Sequence, residues 1–233
     1  MSKLVAWIKT LFAKKNVPVP VIPPPVAYPE PSFPELPDAD HTGSVHLGIV
    51  VGHTRDNGGA IMAKPYNMSE YVYNTVVAKK MKAYAEAVYK GSVKVSIFFR
   101  DHGGIAEAYG GAILAGCDAV IELHFNAYNG LVTGTETLCT PDNGDVEFAH
   151  IIQRGMCTVF GRQAMSRGVK AISRSERGGW SVHSFPPGVN CLVEPFFGDT
   201  PSEAVLAMSN QDEYAKGLIN SVVLWARKKD LLK

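Results

Sequence analysis

Charge of either sign is not in surplus: 23 lysines and arginines face 22 aspartates and glutamates, a formal net charge of +1 at pH 7. Such a balance builds no broad positive field, and the body of the chain has no run of Lys and Arg interleaved with aromatics, so nucleic acid is set aside as a partner. No stretch approaches the ~20 apolar residues that a membrane span needs. Cysteine is scarce, and Cys117, Cys139, Cys157 and Cys191 sit among apolar neighbours without CxxC spacing. That excludes a dense disulfide scaffold and predicts buried free thiols. No internal repeat is present. Near the start, Lys9 interrupts what would have to be the apolar core of a signal peptide. The expectation is a protein without a cleaved secretory signal, held in the cytoplasm of the producing cell before release.

What the sequence does contain falls into three parts. In residues 1–16, Leu4, Trp7, Ile8, Leu11 and Phe12 recur at helical spacing opposite lysines, the pattern of a short amphipathic helix suited to a membrane surface or a virion component. Residues 17–43 form a linker, because Val17 to Pro37 carries nine prolines and favours extended polyproline geometry. From residue 44 to 233 apolar runs alternate with helical periodicity, which predicts an α/β domain. Strands are expected near Val45–Val51, Lys94–Phe99, Ala119–Phe125, Thr135–Cys139 and Asn190–Pro195, and helices over Ser69–Lys90, Ile105–Ala115, Val146–Ser166 and Ser202–Lys228. Thr200-Pro201-Ser202-Glu203 marks the last helix start as a capping box with proline at the first helical position.

Three metal-ligand types fall where such a sheet presents its functional edge, at strand carboxyl ends and first helical turns. His53 follows the run Leu47-Gly48-Ile49-Val50-Val51 and Gly52; His124 follows Val120-Ile121-Glu122-Leu123; Glu70, seventeen residues after His53, opens a helix behind the cap Ser69. Taken alone, a strand-end His is an ordinary polar group and a first-turn Glu serves the helix dipole. Together, two imidazoles and a carboxylate leave one ion, zinc by preference, an open fourth position, as hydrolytic sites require. Glu194 adds weight, because a carboxylate inside the apolar run Cys191-Leu192-Val193 is costly unless paired or near a cation. Such a group suits a general base. Glu136, on the strand after His124, is its rival for that role. His102, in Asp101-His102-Gly103-Gly104, is read as a loop residue, since choosing it as a ligand strands His53 and Glu70.

The order Gly52-His53, Glu70, His124-Phe125-Asn126 and Leu192-Val193-Glu194-Pro195-Phe196, with Glu203 following, resembles the zinc-dependent N-acetylmuramoyl-L-alanine amidases, over roughly Val45 to Leu232. Phe99-Arg100, Gly134-Thr135-Glu136 and Arg167-Gly168-Val169-Lys170 are further echoes. The resemblance implies a single mixed, mostly parallel sheet with helices on both faces. It also implies one zinc ion on His53, Glu70 and His124, Glu194 as acid/base, and a shallow groove for peptidoglycan. One departure concerns the second histidine: where the family carries a small hydroxyl residue two places earlier, this chain has Glu122, either a partner that orients His124 or a polar group at a sheet edge.

Substrate contacts are sought in Asn126 and Glu136, and in the loop Arg174 to Gly188, where Arg174, Arg177, Trp180 and His183 offer cations and a stacking surface. The expected function is cleavage of the amide between N-acetylmuramic acid and L-alanine by a phage or prophage lysis enzyme acting on the cell wall. The alternatives are a zinc carboxypeptidase or peptidase acting on the stem peptide, and a wall-binding module without catalysis.

Overall fold

Seven consecutive buried residues, Val45–Val51, form the strand β1 of the computed structural model, which describes residues 43–233. A strand covered on both faces needs apolar residues at successive positions, and this run supplies them except at His46, whose Nε2 bonds Ser96 Oγ (2.8 Å). The elements that follow are α1 (Glu70–Tyr89), β2 (Val93–Phe98), α2 (Gly104–Leu114), β3 (Ala119–Leu123), β4 (Thr135–Cys139), α3 (Asn143–Val159), β5 (Ser166–Ala171), α4 (Gly179–Val182), β6 (Val189–Glu194), α5 (Pro201–Ser209) and α6 (Gln211–Lys228). The amphipathic helix expected at 1–16 and the linker expected at 17–43, Gly43 excepted, lie outside the described residues.

The six strands make one sheet in the order β2-β1-β3-β6-β4-β5. β2, β1, β3 and β6 are parallel; β4 runs against β6, and β5 is parallel to β4. This is the mixed, mostly parallel α/β sheet expected. Strand alternation divides the layers. Val45, Leu47, Ile49 and Val51 point into the main core with Tyr73, Val77 and Met81 of α1, Phe148 and Ile152 of α3, and Tyr214 and Leu218 of α6. Val50 and Val120 face the other way, onto Ala108, Tyr109 and Ala112 of α2. On that second face Leu138 and Leu192 are covered by Ile172 and by Val182 of α4. All four cysteines are buried and free.

Several elements differ from the sequence expectation, among them the short helix α4 inside the segment expected as a loop. The segment ending in Ser166 was expected to be helical, but α3 stops at Val159 and Ser166–Ala171 adds the edge strand β5. Its side chains are half-buried or exposed, so no apolar run announces it. The single helix expected over Ser202–Lys228 is two, broken at Asn210. Pro201 does open α5, yet the Thr200 hydroxyl donates to the Val132 carbonyl (2.7 Å) and Glu203 pairs with the buried Arg162, so neither side chain forms the capping box.

Behind the carboxyl ends of β3 and β6 lies a buried aromatic cluster. Phe125 and Phe196 stack with centroids 5.3 Å apart, and Tyr73 meets Phe196 edge-on at 5.3 Å. Each phenylalanine follows a chemistry-bearing residue closely, Phe125 after His124 and Phe196 two places after Glu194. Phe196→Ala is expected to lower stability by about 3–5 kcal/mol, read as a fall in urea midpoint, with a smaller loss for Phe196→Leu.

Candidate metal centre

β1, β3 and β6 end side by side. Gly52 donates its N–H to the Leu123 carbonyl (3.0 Å) and His124 donates to Val193 (3.1 Å). Extending the pairing of Glu122 with Leu192 and Val50 sets His124 beside Gly52 and Glu194. The third contribution comes from the start of α1, where the Ser69 hydroxyl accepts the Val72 N–H (3.3 Å). A short antiparallel return fixes that helix start: Met62 N–H donates to Met68 and Glu70 N–H to Ala60.

The Glu70 carboxylate sits between the two histidines, with Oε2 3.1 Å from His53 Nε2 and Oε1 2.7 Å from His124 Nδ1. It also accepts the N–H groups of Phe125 (3.0 Å) and Ala60 (3.2 Å). One donor atom from each of His53, Glu70 and His124 lies within 4.8 Å of the others, and these three form the group positioned to hold an ion among the described residues. His102 is outside it and exposed, whereas its neighbour Asp101 accepts Arg55 N–H (2.8 Å) and the Tyr71 hydroxyl (2.9 Å), bracing the His53 loop.

Local backbone is shaped for this convergence. His53 has φ 65°, in the left-handed region that a non-glycine residue seldom enters. Gly59, with φ 76°, leaves space beside the cluster: a Cβ there would come within 2.6 Å of His53 Nε2 and 2.7 Å of Glu70 Oε2. A Cβ on Gly52 would stand 2.5 Å from His124 Nε2. Two imidazoles and a carboxylate, packed in a cradle that admits no methyl group, fit a small divalent cation such as zinc.

Burial opposes charge on Glu70, but the His124 and His53 hydrogen bonds outweigh it and bring the carboxyl to about 2. Burial likewise opposes charge on His124, and the flanking Glu122 and Glu70 overcome it, lifting the imidazolium to about 10.

A second cluster adjoins the first. Asn126 Nδ2 bridges Glu136 Oε1 (2.9 Å) and Glu194 Oε2 (2.6 Å). Arg167 Nε (2.6 Å) and Lys170 Nζ (2.5 Å) both donate to Glu136 Oε2. Burial pushes Glu194 up to about 7, and the neighbouring Glu136 adds to the rise. Glu136 goes the other way: burial is outweighed by Glu194, Lys170 and Arg167, which bring it to about 2. The two carboxyls are thus driven apart, Glu136 toward the ionised form and Glu194 toward a higher proton affinity.

The profile of the N-acetylmuramoyl-L-alanine amidase family matches residues 47–223. The chain belongs to this amidase family. Solved structures of similar fold include an N-acetylmuramoyl-L-alanine amidase from Clostridium difficile 630 (TM-score 0.69, 21% identity, covering 81% of this chain and 100% of that one). Another is the catalytic domain of CwlV, an N-acetylmuramoyl-L-alanine amidase from Bacillus (Paenibacillus) polymyxa var. colistinus (0.66, 18%, 80% and 99%). A third is the catalytic domain of the CD27L endolysin targeting Clostridia difficile (0.59, 25%, 77% and 97%). A search of curated proteins finds no match.

The remaining expected site residues of this amidase separate in space. Arg174 lies over the exposed Trp180 ring, 4.1 Å from its centroid. Arg177, from the same loop, reaches within 4.0 Å of Glu194 Oε1. His183 is elsewhere: its Nε2 bonds the Ile172 carbonyl (3.0 Å), and it lines a cavity of about 520 Å³ with Thr140, Asp142 and Gly188. Those residues follow β4 and precede β6, at the end of the sheet opposite Glu194. Sequence reasoning missed the glycine cradle, and it missed a loop pinned by Asp199. Asp199 Oδ2 accepts Tyr128 N–H (3.0 Å) and Gly130 N–H (2.8 Å), so that Tyr128 and Leu131 stand exposed just beyond Asn126.

The shifted groups predict a pH profile for stability of the metal-free amidase. Glu70 and Glu136 are depressed, so their contribution is present above about 4.5 and is lost as pH falls toward 2. Glu194 is raised, so its contribution is full below about 4.5 and is lost as pH climbs through about 7. Urea midpoints are expected to fall on both sides of pH 4.5, and Glu194→Gln is expected to flatten the decline between 4.5 and 7.

Proposed function

We propose that this amidase binds one zinc ion through His53, Glu70 and His124 and cleaves the amide between the lactyl group of N-acetylmuramic acid and L-alanine in peptidoglycan. The observation that carries the reading is the convergence of three ligand atoms within 4.8 Å, with Glu194 on the adjoining strand end. Zinc, when bound, supplies Lewis-acid polarisation of the scissile carbonyl and acidification of the attacking water.

The protein's own groups supply the proton transfers and the positioning. Glu194 takes a proton from the attacking water and returns it to the departing alanine nitrogen as the C–N bond breaks. Burial raises the proton affinity of this carboxyl in the metal-free chain, which suits it to hold a proton between the two transfers. Asn126 holds Glu194 Oε2 in place, and Glu136, kept ionised by Arg167 and Lys170, adds to the proton affinity of its neighbour. Arg177, Arg174 and Trp180 on one side, with Tyr128 on the other, are the groups we assign to carboxylate and sugar contacts.

Glu194→Gln is expected to retain zinc yet lower turnover at least 10²-fold, measured as release of soluble muropeptides from isolated sacculi. Chelation should abolish activity in the wild type and added zinc should restore it. Products bearing a new N-terminal L-alanine support the amidase; release of free amino acids instead would indicate a peptidase acting on the stem peptide.

We further propose an endolysin-like setting, in which the enzyme waits in the cytoplasm of a phage-infected or lysogenic cell and residues 1–16 contact a membrane surface or virion component. The amphipathic pattern of Leu4, Trp7, Ile8, Leu11 and Phe12 supports this, as does the likeness to an endolysin catalytic domain. Removing residues 1–40 is expected to leave hydrolysis of purified wall intact while ending co-sedimentation with anionic vesicles; retained sedimentation would rule out the anchor.

A further inference from the structure

Glu122 is a carboxylate with no exposed surface, in the middle of the sheet, two residues before His124 on β3 and pointing to the same face. Its oxygens meet donors from separate parts of the chain. Oε1 accepts from His124 Nε2 (3.0 Å) and from Arg100 Nη1 (2.8 Å), and Oε2 accepts the Tyr109 hydroxyl (2.9 Å). Arg100 follows β2 and Tyr109 lies in α2, so the carboxylate is gripped from three elements and cannot turn without breaking bonds to each.

The consequence falls on the histidine. A neutral imidazole carries hydrogen on one nitrogen and a lone pair on the other, and the hydrogen bond made by one nitrogen decides which is free. His124 Nε2 faces a buried acceptor already fixed by two other donors, whereas Nδ1 faces Glu70 Oε1 at 2.7 Å, inside the three-residue cluster. Both ring nitrogens face carboxylates in the metal-free chain; the one that gives up its hydrogen to ligate is Nδ1, beside the co-ligand Glu70, and Nε2 keeps its hydrogen on Glu122.

We propose that Glu122, braced by Arg100 and Tyr109, is a positioning residue for metal loading: it fixes His124 with hydrogen on Nε2 so that the Nδ1 lone pair faces the ion. This rests on the reading of His53, Glu70 and His124 as the ligands. It gives the departure at position 122 a function, since a buried carboxylate behind a ligating imidazole sets both ring orientation and ligand basicity.

The test uses the full-length chain, stripped of metal, with zinc alone as the probe and affinity read by competition with a chromophoric chelator. Glu122→Gln keeps the size of the side chain but removes its charge and can present an amide N–H to Nε2; it is expected to weaken zinc binding about 10–100-fold. Tyr109→Phe removes one brace and is expected to weaken binding several-fold. Nitrogen-15 shifts of the His124 ring in the zinc-loaded protein should show hydrogen on Nε2 in the wild type and a changed distribution in Glu122→Gln, a readout that a merely structural role would not move. His53→Ala separates the two readings. If His53→Ala leaves zinc affinity unchanged, the ligand set falls and this assignment falls with it. If His53→Ala weakens binding while Glu122→Gln keeps wild-type affinity and ring signature, the assignment alone is overturned. Should Glu122→Gln not fold, Tyr109→Phe decides: weaker binding supports the role and wild-type affinity removes it.

Discussion

Glu70 holds the active end of this molecule together. Its carboxylate, at the first position of α1, accepts from two histidines and from the backbone of Ala60 and Phe125. Four bonds to one buried anion tie the loop after β1, the loop before α1 and the end of β3 to a single point. The Glu–His attractions oppose the cost of taking the carboxylate out of water. Glycine at 52 and 59 is the steric counterpart, because any side chain there would occupy the volume where these groups meet.

Alongside that point, two carboxylates are driven to opposite states by what surrounds them. Arg167 and Lys170 come from β5 and act on Glu136; Glu194 is bonded by Asn126 and adjoins Glu136, with Arg177 farther off at 4.0 Å. An exposed edge strand thus has a chemical purpose in the proposed reaction. It delivers cations that keep one member of a pair ionised, while burial first and that ionised neighbour second raise the proton affinity of the other.

The parts legible in the sequence are those where burial leaves a pattern. β1 has its expected limits because a largely apolar run leaves little ambiguity, and β4 has them too; His53, His124 and Glu194 stood out as polar groups closing apolar runs, and Glu70 as the residue that opens a helix behind Ser69. β5 was hidden because an edge strand with exposed side chains has no apolar signature. The break at Asn210 was hidden because α5 and α6 are each amphipathic and adjoin without proline or glycine. His183 could not be placed because the loop from Ile172 folds back across the sheet, bringing Arg177 to Glu194 while carrying His183 to the far end. The Thr200–Glu203 motif marked a helix start correctly for a different reason: tertiary partners, the Val132 carbonyl and Arg162, claim both side chains.

The reversal of direction between β6 and β4 has a consequence for how this domain can diverge. Glu136 stands at the beginning of its strand and Glu194 at the finish of its own, so the antiparallel pairing brings them face to face. The turns at the other pole, around Thr140–Asp142 and Phe185–Gly188, are thereby insulated from the chemistry by the length of the sheet. Those turns can be lengthened or decorated while Glu136 and Glu194 keep their spacing, whereas an insertion after β1 or β3 would fall directly on the cluster of His53, Glu70 and His124.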